Sequence, residues 1–153
     1  MSVADGRGIS VRPSPGASGA SGALRVRFAG YAAVFDRVDR GGDIVRAGAF
    51  AGLSGPVPLL WQHRGDAVGT IDQIAEDAQG LRVIGTVDAP ELASLVSGGG
   101  VKGLSFGYRV KAARQLSTGR GRVRELLALD LIEVSLVVAP MQPLARVHAV
   151  ESG

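Results

Sequence analysis

The chain of 153 residues contains no cysteine, which excludes disulfide bonds, thiolate metal ligands and a cysteine nucleophile. Aromatic residues make up only 5%, so the sequence offers no stacking surface for single-stranded nucleic acid. The apolar runs are far shorter than the roughly 20 residues of a transmembrane helix. The N-terminus also lacks the pattern of a signal peptide. We therefore expect neither membrane insertion nor secretion.

Lysine is scarce as well, because Lys102 and Lys111 are the only two and arginine supplies the rest of the positive charge. The net charge is +3 and the sequence pI is near 9.9, which is compatible with a basic nucleic-acid-binding barrel. The arginines are scattered along the chain rather than clustered. We therefore expect no specific nucleic-acid partner, since only the pI favours that alternative.

The first part of the chain differs in composition from the rest. Residues 1–23 are rich in Gly, Ser, Ala and Pro and carry few large apolar side chains, which predicts a disordered arm. The remainder is long enough for a hydrophobic core without metals or disulfides. We predict one domain over residues 24–148, followed by a short tail at residues 149–153.

Alternating apolar and polar residues predict strands over most of this domain. The predicted strands are Leu24–Phe35, Val57–Gln62, Val68–Ile74, Leu81–Val87, Leu104–Val110 and Val123–Val138. Short helices are predicted at Val45–Leu53 and at Pro90–Val96, the second with Asp88 as its N-cap. Pro140 and Pro143 are expected to end the sheet. Because strands and helices do not alternate, the predicted fold is α+β, a mostly antiparallel, β-barrel-like domain with a few short helices.

Ser105 is the candidate nucleophile. Alternation along its strand places it on one face with Gly103 and Gly107, which would leave room for a substrate and an imidazole. A serine on a solvated face is the plainer interpretation. The run also matches G-x-S-x-G, the nucleophile elbow of α/β-hydrolases, with Asp130 and His148 in the required chain order. That elbow needs a helix directly after the serine, whereas the pattern here continues as a strand.

Histidine is the scarcest of the candidate catalytic residues, with only His63 and His148 in the chain. His63 closes an apolar strand and could project into a cleft, or simply cap a nearby carbonyl. His148 is expected to be exposed in the tail. Glu133 lies in a strongly apolar strand, where a carboxylate needs a partner. That partner is either His63, giving a Ser-His-Glu set, or an arginine in a structural ion pair.

A cluster of three acidic residues precedes the first predicted helix, at Asp36, Asp39 and Asp43. Their spacing does not match a calcium-binding loop, and arginines are interleaved with them. We interpret the cluster as a solvated loop, and we expect no metal ion and no cofactor.

Taken together, the motifs resemble the prohead (capsid maturation) proteases of tailed phages, a family related in fold to the herpesvirus assemblin proteases. The resemblance covers about Phe28 to Val147. The stretches that carry it are Gly30–Phe35, Gly41–Val45, Gly48–Phe50, Pro58–His63, Val68–Gly69, Gly80–Leu81, Gly103–Tyr108 and Asp130–Val138. Each stretch is short, and it is their order along the chain that is specific.

The resemblance implies a serine endopeptidase with Ser105 as nucleophile, His63 as general base and Glu133 as the group that orients His63. It implies that the enzyme acts inside the procapsid, in the cytoplasm of the bacterial host. The implied substrates are the N-terminal scaffolding segment of the major capsid protein and the protease itself. Other procapsid components and a homodimer are further implied partners. The alternative is a catalytically silent capsid-assembly or scaffold factor with the same fold.

Overall fold

The computed structural model describes residues 25–119 and 121–152, so the predicted arm at residues 1–23 lies outside the described residues. The elements in chain order are β1 (Val26–Val34), β2 (Asp43–Val45), β3 (Pro58–Trp61), β4 (Arg64–Glu76), β5 (Gly80–Val87), α1 (Pro90–Ser97), β6 (Gly103–Thr118), β7 (Gly121–Val137) and β8 (Val147–Ser152). Within the described ranges, no helix has the length and apolarity needed to cross a bilayer.

The strands form one sheet in the order β2-β7-β3-β4-β5-β1-β8, and β6 pairs with β7. Five of the strand pairs are antiparallel, whereas β2 and β3 both run parallel to β7. A mostly antiparallel α+β fold was therefore predicted correctly. The barrel-like part of the prediction holds only loosely, because within the described residues no ladder joins β2 to β8, a single isolated bridge links Gly103 to Arg146, and the sheet is not closed.

Most of the core consists of side chains from the strands, chiefly β1, β5 and β7, and α1 packs against one part of it. Strand β1 is buried along nearly its whole length, which explains why its sequence is almost continuously apolar. The buried side of α1 consists of Leu92, Ala93 and Val96. On β5, a Cβ at Gly85 would lie only 2.7 Å from the ring of Phe28, so glycine there lets the aromatic ring pack against the backbone.

The helix predicted at Val45–Leu53 does not form. Backbone bonds in this segment join residues three apart, as in Ala49 to Arg46 and Leu53 to Phe50, and they make successive turns rather than a helix. The physical reason is the carboxylate of Glu76, which accepts the backbone N–H groups of Gly48 at 2.8 Å and Phe50 at 2.7 Å. Gly48 also has φ +91°, which an α-helix does not allow.

The helix predicted at Pro90–Val96 forms as α1, but its cap differs from the prediction. Ala89 occupies the N-cap position and no side chain caps the helix, so Asp88 does not have the predicted role. The backbone N–H groups of Asp88 and Ala89 both donate to the carbonyl of Val68. This attachment to β4 fixes the point at which the helix begins.

The C-terminal segment is not a tail. After β7 ends at Val137, the chain passes Pro140 and Pro143 and then returns to the sheet as β8, antiparallel to β1. This finding corrects two predictions, namely that the sheet ends at these prolines and that residues 149–153 form a tail. Val147 and Ala149 are buried while His148 between them is exposed, which is the two-residue period of a half-buried strand.

His148 is exposed, as predicted, but its ring is packed on a neighbour. The imidazole lies 5.6 Å from the ring of Tyr31, centroid to centroid. Partial burial and the nearby guanidinium of Arg82 lower the pKa of His148 below its usual value. The folded protein therefore favours the neutral imidazole more strongly than the unfolded chain does.

We expect this histidine to make the protein less stable in mild acid. The stability that the neutral His148 imidazole contributes is fully present above the unfolded-state pKa of about 6.5. It is lost as the pH falls through the lower pKa of the folded state. Denaturant titrations at about pH 7.5 and about pH 5.5 should show a larger loss of unfolding free energy for the wild type than for His148→Phe, which keeps the ring packing. If both proteins lose the same unfolding free energy between these pH values, groups other than His148 cause the acid sensitivity.

Candidate active site

Three adjacent strands bring the predicted catalytic residues together. In the ladders, Ser105 on β6 faces Ser135 on β7, and Leu60 on β3 faces the same Ser135 from the other side. Glu133 lies two residues before Ser135 on β7, and His63 follows the end of β3. The order β6-β7-β3 therefore places the serine, the carboxylate and the histidine at one point of the sheet.

His63 occupies a tight turn between β3 and β4. Trp61 pairs with Arg64, so Gln62 and His63 are the two loop residues of a hairpin, with φ of 55° and 65°. Positive φ at both loop residues is the signature of a type I′ turn, which usually contains Asn-Gly. Side chains other than glycine are strained in this conformation, and such strain is often found at functional sites.

Three hydrogen bonds attach the strained turn to the end of β7 and to Val138, the residue that follows it. The backbone N–H of Gln62 donates to the carbonyl of Leu136 at 3.0 Å, and its side-chain Oε1 accepts the N–H of Val138 at 2.9 Å. The backbone N–H of His63 donates to Oγ of Ser135 at 3.1 Å. These bonds hold the imidazole at the sheet surface, even though the turn itself has an unfavourable sequence.

Glu133 is the partner of His63. Its Oε1 lies 2.5 Å from the imidazole Nδ1, and its Oε2 accepts the hydroxyl of Ser135 at 2.6 Å. Only 6% of Glu133 is exposed, so both oxygens need these partners. The sequence also allowed a structural ion pair between Glu133 and an arginine, but among the described residues no arginine forms one with it. With Nδ1 donating to the carboxylate, Nε2 is left to accept a proton.

Gly107 provides the space that this carboxylate occupies. It faces Glu133 across the ladder, and a Cβ at Gly107 would lie only 2.5 Å from Oε1. A Cβ at Gly103 would similarly meet the carbonyl of Val137 at 2.6 Å. The prediction that these two glycines leave room for a substrate is therefore wrong, because the protein itself fills the space.

Ser105 and His63 line the same cleft, which has a volume of about 160 Å³. Apolar residues of β1 and β6 make up much of its lining, to which Met141 and Gln142 also contribute. Ser105 is 9% exposed and lies in the buried first part of β6, from which it reaches the cleft. In the described part of the chain, no hydrogen bond joins its hydroxyl to the imidazole. Catalytic hydrogen bonds are often long in a free enzyme and tighten when substrate binds.

The acidic segment is mostly exposed over residues 36–41, as predicted for a solvated loop, but Asp39 and Asp43 also line this cleft. Asp39 Oδ1 accepts the backbone N–H groups of Gly41 and Asp43. Asp43 in turn accepts two hydrogen bonds from Arg124 at 2.9 and 2.8 Å and one from Tyr108 at 3.1 Å. The Arg124 guanidinium lowers the pKa of Asp43, while burial and the neighbouring Asp43 raise the pKa of Tyr108. The charge of Asp43 at the cleft is therefore paired with that of Arg124.

The nucleophile elbow suggested by G-x-S-x-G does not form. Strand β6 continues for 13 residues beyond Ser105 to Thr118, where an elbow would begin a helix. Asp130 is exposed beside Lys111, and His148 packs on Tyr31 outside the cleft. The structure therefore brings Ser105, His63 and Glu133 together and leaves Asp130 and His148 elsewhere.

Two residues of the site were not identified as functional from the sequence, namely Ser135 and Gln62. Alternation placed Ser135 on the same face as Glu133, which was a usable signal for proximity. It gave no indication that the hydroxyl would bond to both Glu133 and the backbone of His63. The role of Gln62 depends on a positive φ that the residue type does not predict.

Comparison with solved structures supports the fold. The structure of varicella-zoster virus protease has a TM-score of 0.53 at 17% identity, covering 84% of this chain and 64% of that chain. The KSHV protease bound to a hexapeptide phosphonate inhibitor has a TM-score of 0.50 at 16% identity, covering 86% of this chain and 65% of that chain. At these identities the likeness shows the fold alone, which is that of the herpesvirus proteases.

Sequence comparison identifies the family. The prohead protease of Enterobacteria phage HK97 is 32% identical over 137 residues, covering 82% of this chain and 60% of that protein. The chain thus spans about 60% of the length of that relative. A family model described as caudovirus prohead serine protease matches residues 17–153. The chain therefore belongs to the caudovirus prohead serine proteases.

Proposed function

We propose that this protein is a serine endopeptidase with Ser105 as nucleophile, His63 as general base and Glu133 as the residue that orients His63. The observation that carries the proposal is the 2.5 Å contact between His63 Nδ1 and Glu133 Oε1, beside a cleft that Ser105 and His63 share. A serine needs such a base to be nucleophilic at neutral pH, and the base needs a third group to hold its tautomer.

The proposed reaction has two halves. Ser105 Oγ attacks the peptide carbonyl while His63 Nε2 takes its proton, and the C–N bond then breaks as His63 returns that proton to the leaving amine. Water attacks the resulting acyl ester, again giving a proton to His63, and Ser105 Oγ leaves with a proton. Glu133 stays ionised throughout and stabilises the imidazolium that forms in each half.

Membership of the family supports a role in capsid maturation. We propose that the substrates are the N-terminal scaffolding segment of the major capsid protein and the protease itself, cleaved inside the procapsid in the host cytoplasm. Other procapsid components, and a second copy of the chain in a homodimer, are proposed partners. No bound group is required by this mechanism, because each proton transfer uses side chains of the chain itself.

The test is cleavage of the cognate major capsid protein when it is co-expressed with wild-type or Ser105→Ala protein, with products read by intact mass. We expect loss of a defined N-terminal segment with the wild type only. Absence of cleavage with either, also in assembled procapsids, would favour a catalytically silent assembly or scaffold factor. Cleavage with both would mean that Ser105 is not the nucleophile.

A further inference from the structure

Ser135 is a buried hydroxyl at the centre of the site, on β7 between β6 and β3. It is 0% exposed and faces Ser105 on one side and Leu60 on the other. A hydroxyl in such a position must be hydrogen-bonded, and this one has two partners. It donates to Glu133 Oε2 at 2.6 Å and accepts the backbone N–H of His63 at 3.1 Å.

The direction of both bonds is set by the chemistry of the partners. An ionised carboxylate only accepts and a backbone N–H only donates, so the single hydroxyl proton must point to Glu133. The Oε2 atom of Glu133 is thereby occupied, and the other oxygen is directed at His63 Nδ1. Ser135 thus fixes the rotation of the carboxylate group that orients the imidazole.

The same hydroxyl also supports the turn that carries the imidazole. His63 has φ 65°, a conformation that a residue other than glycine keeps only when its surroundings enforce it. The bond from its N–H to Ser135 is one of three that join this turn to residues 135–138. Loss of that bond would free the backbone of His63 at the point where the ring is attached.

We propose that Ser135 is a positioning residue for the His63–Glu133 pair, holding the backbone of one and the carboxylate of the other through a single hydroxyl. This inference rests on the proposed function and extends it to a fourth side chain. Ser135 does not line the cleft, so it acts through its two neighbours rather than on the substrate.

The test compares Ser135→Ala with Ser135→Thr. Alanine is the milder change for packing at a fully buried position, whereas threonine adds a methyl group but keeps the hydroxyl. If the hydroxyl positions the pair, alanine should lower kcat by about 10²-fold with KM little changed, the size of effect expected for a small misplacement of a catalytic group. Threonine should retain more of the activity than alanine. If Ser135 had a purely structural role, the alanine variant should instead retain more activity than the threonine variant.

The matched control is Thr86→Val. Thr86 on β5 also donates a hydroxyl to a carboxylate at 2.6 Å, that of Asp72, but lies outside the cleft. Kinetics would use a peptide spanning the mapped cleavage site, and the rate of Ser105 modification by a small fluorophosphonate would give a substrate-independent measure. We expect Thr86→Val to match the wild type in both assays.

A spectroscopic readout separates positioning from stability. The short Nδ1–Oε1 contact should give the His63 ring proton a far-downfield NMR signal, which selective histidine labelling would detect without any cleavage assay. We expect this signal to move or broaden in Ser135→Ala and to persist in Ser135→Thr and Thr86→Val. An unchanged signal and kcat within about twofold of wild type in the alanine variant would overturn the proposal.

Two further outcomes have distinct meanings. If neither Ser135 variant folds, the hydroxyl serves the fold rather than the imidazole, and the proposal is likewise overturned. If wild type and Ser105→Ala behave identically towards substrate and fluorophosphonate, the proposed function fails by itself. The histidine signal would still decide whether Ser135 holds the pair.

Discussion

Replacement of His63 by alanine is expected to lower the rate of cleavage by about 10⁴-fold or more while the fold is retained, as for base removal in other serine proteases. The reason is that His63 combines two features that no other residue of this cleft offers within the described ranges. Its Nδ1 is held by Glu133, and its ring lines the cleft with Ser105. The thermal midpoint should fall somewhat, because the buried Oε1 of Glu133 loses its partner, although the His63 side chain itself is 43% exposed.

The effects on the cleavage rate of replacing the three proposed catalytic residues should also not be additive. The double variant Ser105→Ala/His63→Ala should be no slower than either single variant, because each removes the same nucleophilic step. Glu133→Gln should retain more activity, with a loss on the order of 10²- to 10⁴-fold, since the base remains but is poorly oriented. These rates can be measured with purified variants on the mapped cleavage-site peptide.

His148 provides the matched control for the His63 prediction. It is the other histidine of the chain and packs on Tyr31 away from the cleft, so His148→Ala should cleave at nearly the wild-type rate. Near-normal cleavage by His63→Ala would refute the assignment of the general base. A large loss in His148→Ala with its fold intact would show that the base had been assigned to the wrong histidine.

Replacement of Gly107 by alanine is expected to be almost as damaging as loss of Glu133, although Gly107 carries no chemistry. The added Cβ would lie 2.5 Å from Oε1 and 3.1 Å from Cδ of Glu133, so the carboxylate must move. Both of its oxygens are hydrogen-bonded and buried, and any movement breaks the contact with His63 Nδ1. We expect cleavage to fall on the order of 10²- to 10⁴-fold.

The control for this change is Gly119→Ala in the turn between β6 and β7. Nothing lies within 4 Å of a Cβ built at Gly119, so that variant should match the wild type in rate and stability. Cleavage rates and thermal midpoints of both variants should be measured together with the NMR signal of His63. Full activity in Gly107→Ala would mean that the carboxylate can shift without affecting the histidine, against the role proposed for Glu133.

Some elements were predictable because their signal is local. The strands containing Ser105 and Glu133 follow from two-residue alternation, and α1 follows from Pro90 in its first turn. The segment after Val45 was not predictable, because its turns depend on the carboxylate of Glu76, which is distant in sequence. Strand β8 was missed because its short pattern becomes decisive only when β1 lies beside it.

The sequence by itself determined which side chains are available for catalysis: no cysteine, two histidines, a serine between glycines and a carboxylate in an apolar strand. Its ordered motifs also indicated the family. Only the tertiary structure decided how these groups combine, because their contacts join residues far apart in the chain, such as His63 and Glu133. The parallel pairing of β3 with β7 brings them together, and Ser135 and Gly107 obtain their roles from that pairing rather than from their residue type.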